Sequence, residues 1–330
     1  MSEPRSLEMS VILVTPDCLE TIRKTLKHLG AQSAKDRLEI VIVSPAGAQF
    51  DLGDPDLGGF ADVQVVRLPD MRSTAAARTA GIRHARAPIV VFTEDHSFPD
   101  AGWAAALINA HQRPWAAVGP TVGNANPVSA ISWANFLIEY GEWLDASPDQ
   151  VTQHLPGHNS SYKRQILLNY GEKLEAMIQA ESVLHWDLRA RGHEIAIEQK
   201  ARTKHLNFSR LAPSMQMRFW SGRMFAAARS REWSFRRRLL YTGGGPLIPF
   251  VRAWRVLRQM RRRRWERVFV LRVLPFLLFL LVCDVGGEIA GYVFGQGDAE
   301  GRVANFEFRR QRYLSREDGA RLNRGELPPA

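Results

Sequence analysis

Four consecutive residues, Thr93-Glu94-Asp95-His96, place a hydroxyl, two carboxylates and an imidazole directly after the apolar run PIVVF. Oxygen and imidazole donors at the end of a strand can hold a divalent cation, and a cation there can neutralise a departing diphosphate. Strand-end acids also serve as helix caps, so the cluster by itself leaves both readings open. Upstream, TAAARTAGI (residues 74–82) brings Arg78 near the same crevice. An Arg on a helix is ordinarily solvated; here it can instead pair with phosphate. Downstream, Gly157-His158-Asn159-Ser160-Ser161 precedes a helix whose free amides can meet an anion or a hydroxylated ligand. Asn159 can hydrogen-bond a ligand hydroxyl or simply cap that helix. Ala180-Glu181-Ser182 opens a further helix, where a carboxylate is favoured by the dipole whatever else it does. His205 follows a short strand, and a lone His is more often structural. His158 and Trp186 are equally ambiguous and stay outside the candidate site.

These groups need a scaffold, and the hydrophobic pattern supplies one. Residues 10–14 (SVILV), 38–44 (LEIVIVS), 63–68 (VQVVRL) and 88–93 (PIVVFT) are short apolar, β-branched runs. Between them, residues 17–32 repeat Leu19, Ile22, Leu26 and Leu29 at helical spacing, and residues 73–86 are Ala-rich and helical. Continuous apolar strands alternating with helices predict an α/β fold, Rossmann-like, with a mostly parallel sheet covered on both faces. In such sheets ligands bind at the carboxyl ends of the strands, where Thr93–His96 falls. Beyond Thr93 the pattern loosens. Helices are expected at 101–111, 129–144, near 162–168 and at 181–191, the last stopped by Gly192, with short strands at 116–119 and 194–198. No internal repeat is apparent, and the α/β domain is expected to cover residues 1–210.

Charge divides the chain again. The 330 residues carry a net charge of +10, but residues 202–272 hold 19 Lys+Arg against only Glu232 and Glu266, a local +17, which leaves the remainder at −7. An acidic body with one basic belt calls for an anionic partner, nucleic acid or the anionic leaflet of a membrane. Cys18 and Cys283 are the only cysteines, which excludes a disulfide framework and a Cys-based zinc site and suits a reducing compartment. MSEPRSLEM carries acids and no apolar run, so no secretory signal is expected.

Within the belt, Phe250, Trp254, Leu257 and Trp265 share one helical face while Arg252, Arg255, Arg258 and Arg262 lie off it. That is the pattern of a helix lying in a membrane interface, although a helix packed on its own core with a solvated Arg face shows it too. Residues 268–283 (VFVLRVLPFLLFLLVC) are the most apolar stretch, short of the ~20 residues a span needs and interrupted by Arg272 and Pro275. Extension to Phe294 adds Asp284, Glu288 and several glycines, so a leaflet-entering hairpin or two short helices broken at Asp284-Val285-Gly286-Gly287 is expected. The chain thus reads as basic amphipathic interfacial helices over 211–267, a hydrophobic membrane-inserted or re-entrant segment over 268–296, and a loose charged tail over 297–330.

Taken in order, these motifs resemble the family 2 inverting glycosyltransferases of the GT-A fold. SVILVT with its following helix looks like the opening βα unit, LEIVIVS like the second strand, and AAARTAGIRHARAPIVVFTEDHSFPDAGW like the stretch entering the DxD motif. GHNSSYKRQILL is similar to the acceptor-side Gly-x-Asn segment, and AESVLHWDLRARGHEI to the Glu-Asp helix ending in Gly. The resemblance covers roughly residues 9–207. It implies that Glu181 is the catalytic base, that Glu94, His96 and His205 ligate a divalent metal (Mn or Mg), that Thr15, Arg78 and Asp95 contact the donor phosphates, and that Asn159 contacts the acceptor. Departures bear on the nucleotide and the metal. Ser44-Pro45-Ala46 stands where nucleobase-holding acids are usual, the DxD positions read Glu94 and His96, and Thr79 replaces an Asn.

The resemblance implies a nucleotide-sugar donor and a lipid-linked or envelope-glycan acceptor. Its setting would be the cytosolic face of a bacterial-type inner membrane, since the basic belt preceding the apolar stretch agrees with positive-inside placement. Rival expectations are a polyprenyl-phosphate glycosyltransferase and a catalytically degenerate membrane scaffold of the same fold. A nucleic-acid partner is not expected, because the apolar run beside the belt favours a membrane.

Overall fold

In a computed structural model of the chain, residues 7–144 and 151–328 are described; most of the opening MSEPRSLEM lies outside them. Two compact units result: residues 1–123 with 145–205, and residues 124–144 with 206–330. The boundary expected near residue 210 falls at His205, and residues 124–144 join the C-terminal helices instead.

The first unit is built on eight strands: β1 (Met9–Val14), β2 (Leu38–Pro45), β3 (Asp62–Leu68), β4 (Ile89–Thr93), β5 (Ser97–Pro99), β6 (Ala117–Asn124), β7 (Ser161–Lys163) and β8 (Ile195–His205). They form one sheet in the order β3-β2-β1-β4-β7-β6-β8-β5. The first four are parallel, with Val11 opposite Ile40 and Val91. The side chains of β1, β2 and β4 are buried on both faces, which is why the sequence shows unbroken apolar runs there rather than alternation, while β3 at the sheet edge is mostly half-buried. Helices α1 (Leu19–Gly30), α2 (Thr74–His84) and α3 (Trp103–Ala110) precede α4 (Ala130–Glu139), which belongs to the second unit; α5 (Arg164–Leu168), α6 (Leu174–Ile178) and α7 (Glu181–Ala190) return to the first. The predicted stripe of α1, Leu19, Ile22, Leu26 and Leu29, is the face that packs on Met9, Val11 and Leu38.

Two differences matter for the site. The strand expected at 194–198 runs on to His205, and residues 97–99 form a strand that the sequence pattern does not signal. Their antiparallel pairing sets Ser97 opposite His205. His205 is therefore the last residue of a long strand, fixed by ladder hydrogen bonds beside the turn that carries His96.

The second unit is helical: α4, α8 (Leu211–Arg229), α9 (Phe235–Gly244), α10 (Ile248–Arg262), α11 (Arg267–Phe294), α12 (Ala299–Glu307) and α13 (Arg316–Asn323). The expected hairpin or break at residues 284–287 is absent: α11 is one continuous helix of 28 residues. Its glycines are contact surfaces, not hinges. A Cβ on Gly287 would run into the Phe219 carbonyl of α8, one on Gly291 into that of Arg223, and one on Gly222 of α8 into that of Asp284. Asp284 and Glu288, the charges that argued against a continuous helix, both pair with Arg252 of α10. The tail, expected loose, is folded: Val303 and Phe306 of α12 pack on Phe208 and Met217, and Asp318 of α13 accepts from Asn126 Nδ2 at 3.1 Å.

Candidate active site

The site begins where β4 ends. A carboxylate and an imidazole there are not free to turn toward solvent, because α1 clamps the following turn from below: the hydroxyl of Thr25 donates to the carbonyl oxygens of Glu94 and Ser97 at 2.9 and 3.0 Å. Glu94, Asp95 and His96 are consequently buried, and His205 completely so. Glu94 Oε2 lies 3.3 Å from His96 Nε2 and 3.5 Å from His205 Nε2, with the two imidazoles edge to face. Asp95 turns the other way and takes His96 Nδ1 at 2.5 Å.

The opposite oxygen of Glu94 faces a second group of charges. Arg78, on α2, reaches Glu94 Oε1 at 3.3 Å with one guanidinium nitrogen and Glu181 Oε1 at 2.9 Å with another, while its plane covers the Phe92 ring. His158 Nδ1 lies 3.0 Å from the same Glu181 oxygen. Glu181 opens α7, and its side chain crosses directly over Gly157, where a Cβ would lie 2.9 Å from that of Glu181. Gly157 is thus required by the close approach of the two segments.

Each charge state follows from these neighbours. Burial pushes the Glu181 carboxyl up, but the charge and hydrogen bond of His158, with Arg78 beside it, outweigh burial and bring it down to about 2. Burial likewise disfavours a charged His158, yet Glu181 and Glu94 raise it to about 9 against the opposing charge of Arg78. Glu94 is pushed up by burial and pulled further down by the neighbouring imidazoles, ending well below the usual carboxylate range. At neutral pH Arg78 and His158 therefore face Glu94 and Glu181 as two cations against two anions.

Glu94, His96 and His205 each offer one ligand atom, all within 4.8 Å of one another. Separations of 3.3 and 3.5 Å are those of neighbouring ligands around one ion with bonds of about 2.1 Å. A carboxylate with two imidazoles, one of them oriented by a second carboxylate, is a donor set that fits a divalent cation.

The structure thus brings together Arg78, Glu94, Asp95, His96, Glu181 and His205. Within that set Asp95, expected at the donor phosphates, lies against His96 Nδ1. Arg78, also expected there, is buried and bridges Glu94 and Glu181. Thr15 is not joined to the group: its hydroxyl donates to the Cys18 carbonyl at 3.3 Å, and its amide to Val43 at 2.9 Å. Asn159 sits on the turn that carries His158, fully buried, and neither atom of its side-chain amide has a hydrogen-bond partner. His158, set aside on sequence grounds, is a full member of the cluster. Its only sequence signal is adjacency to Asn159 in the Gly157–Ser161 segment.

Residues 10–171 match the family model for glycosyl transferase family 2. None of the curated proteins matches the chain. Among solved structures, GalNAc-T7 with UDP, GalNAc and Mn2+ is 14% identical over 61% of this chain and 43% of its own, with a TM-score of 0.46, so the chain spans less than half of that length. The mannosyltransferase PcManGT from Pyrobaculum calidifontis, in complex with GDP-Man and Mn2+, is 15% identical over 86% of this chain and 87% of its own, with a TM-score of 0.51. Residues 10–171, which carry Arg78, Glu94, His96 and His158, are thus a glycosyl transferase family 2 domain on a GT-A fold.

Proposed function

We propose that the chain moves one sugar, with inversion, from a nucleotide-sugar donor to a lipid-linked or envelope-glycan acceptor at the cytosolic face of the inner membrane. The observation that carries this reading is the single network joining a cation-binding trio to Glu181 through Arg78. Glu94, His96 and His205 would hold the divalent cation, Mn2+ or Mg2+, with Asp95 fixing the His96 ring. When bound, the cation supplies neutralisation of the departing nucleoside diphosphate.

The chain's own residues do the rest. Arg78 and His158 are cations beside that position, and an incoming diphosphate competes with Glu94 and Glu181 for them. As their hold on Glu181 relaxes, its carboxylate becomes a stronger base. The acceptor oxygen attacks the anomeric carbon while the bond to the diphosphate breaks, and the hydroxyl proton passes to Glu181. One displacement inverts the centre. The unpartnered Asn159 amide is suited to an acceptor hydroxyl.

Membrane placement rests on the helical unit. Two thirds of the most apolar window of α11 is not buried, and α11 alone among the described residues is long and apolar enough to cross a membrane. Phe250 and Trp254 of α10 also face outward, leaving Ala253, Val256 and Met260 as the packed side.

A second reading, with a polyprenyl phosphate as acceptor, is favoured by the low pKa of Glu181. An ionised phosphate brings no proton to remove and needs no base. Both readings require a nucleotide-sugar donor. Thermal denaturation with a panel of nucleotide sugars, with and without Mn2+ or Mg2+, tests that requirement. One donor should raise the melting temperature only with the cation, by about 2.7 kcal/mol of stability at a hundred times its Kd. No stabilisation by any donor would overturn the proposal.

A further inference from the structure

Where α10 ends and α11 begins, the helical unit carries a groove of about 760 Å³ walled by Trp254, Trp265 and Leu271 and edged by Arg258, Arg261 and Arg267. Its two sides differ in how they are packed. Trp265 is held edge-on between Trp133 and Phe269, at 5.1 and 5.0 Å, so that wall is preformed. Trp254 and Leu271 are well exposed, and the Arg258 guanidinium lies over the Trp254 ring. None of the three edging arginines has an ion-pair partner among the described residues, and none of the groove's lining residues is acidic. Glu266, at the start of α11, is the nearest acid in sequence.

The surroundings extend one wall. Val268, Leu271, Phe279, Val282 and Val293 of α11 are all exposed and recur at helical spacing, so an apolar stripe runs from the groove along the helix. Three cations at the head of an apolar track are complementary to a phosphate carrying a hydrocarbon chain. Nucleic acid would use the arginines and leave the stripe in water.

We propose that this groove is a discrete site for the phosphate of an anionic phospholipid in a bilayer, with the lipid chain lying along Leu271 and the α11 stripe. The inference rests on the membrane reading above but is narrower. It assigns the charge selectivity to Arg258, Arg261 and Arg267 rather than to the whole basic belt.

Flotation of the full chain with phosphatidylcholine vesicles, with and without phosphatidylglycerol, tests it. Three proteins are compared: the native chain, R258Q/R261Q/R267Q, and a control of equal charge loss outside the groove, R255Q/R262Q/R264Q, each checked for an unchanged melting temperature. At about fivefold per arginine near the surface, the groove variant should lose roughly 100-fold in phosphatidylglycerol-dependent binding. The control should lose at least about tenfold less than the groove variant, because Arg255, Arg262 and Arg264 do not line the groove. Equal losses in both variants would overturn the proposal in favour of diffuse attraction. Displacement by inorganic phosphate would overturn it in favour of a free-anion site, and displacement by duplex DNA in favour of nucleic acid. Equal binding to both vesicle types would overturn the lipid-phosphate site but leave membrane association standing. Binding to neither would overturn the membrane reading itself.

Discussion

In the α/β unit Arg78 sits between Glu94 and Glu181; in the helical unit Arg252 sits between Asp284 and Glu288. Both are an arginine spanning two carboxylates from other elements. Asp284 and Glu288 lie one helical turn apart on α11, and Arg252 reaches both from α10, so that trio staples two helices. The Arg78 trio is surrounded by more donors than pairing requires: His96, His158 and His205 crowd the same carboxylates, and the Asn159 amide beside them is unpartnered. The staple is one arginine and two carboxylates, with Glu288 Oε2 left unpartnered, whereas the site keeps several surplus polar groups converging on one point.

The staple can be broken. Arg252→Met leaves two buried carboxylates uncompensated, and denaturant unfolding should show a loss of about 3–5 kcal/mol. Replacing Asp284 and Glu288 by Leu in the same chain should restore most of it, because a well-packed apolar triad avoids desolvating three charges. A loss below about 0.5 kcal/mol in the single variant would mean that the trio holds nothing together.

Histidine charge sharpens the contrast. Burial takes His185, hydrogen-bonded to the Tyr162 hydroxyl at 2.8 Å, down to about 4, and His111 likewise, whereas carboxylates hold His158 near 9. A folded pKa below the unfolded ~6.5 means that the unfolded chain takes up protons first, so stability is full above pH 6.5 and falls as pH drops toward 4. Each buried histidine contributes about 3 kcal/mol to that fall. His185→Phe should flatten the fall in stability between pH 6.5 and 4 in pH-dependent unfolding, leaving the part due to His111 and His28. An unchanged slope would show that His185 is not the group titrating.

The smallest expected effect lies at Asp95. Asp95→Asn keeps its shape but weakens its grip on His96 Nδ1, and Mn2+ affinity measured by calorimetry should fall about 10–100-fold. Unaltered affinity would mean that Asp95 does not orient the ligand.

The sequence made legible whatever is written in local periodicity. The four parallel strands, the α1 stripe and the donors at the end of β4 follow from apolar runs and from where such sheets place their sites. Family order added Glu181 and His205. What stayed hidden depends on partners far away in the chain. Arg78 looks like any helical arginine until α7 brings Glu181 across Gly157, and His158 has no local signature beyond its place next to Asn159. Gly286 and Gly287 beside Asp284 read as a break because nothing in their neighbourhood reveals that α8 approaches there and that Arg252 waits for the carboxylates. The pairing of β5 with β8, which seats His205, is set by register between short segments more than a hundred residues apart.

The most direct test of the central claim is sugar transfer by Glu181→Gln, measured on one preparation with donor-induced stabilisation. Glutamine keeps the size and hydrogen bonds of Glu181 but cannot take up the acceptor proton. With Glu181 as base, donor binding persists while turnover falls by about 10²–10⁴-fold. Near-normal turnover would contradict the base role and favour an acceptor that arrives already ionised.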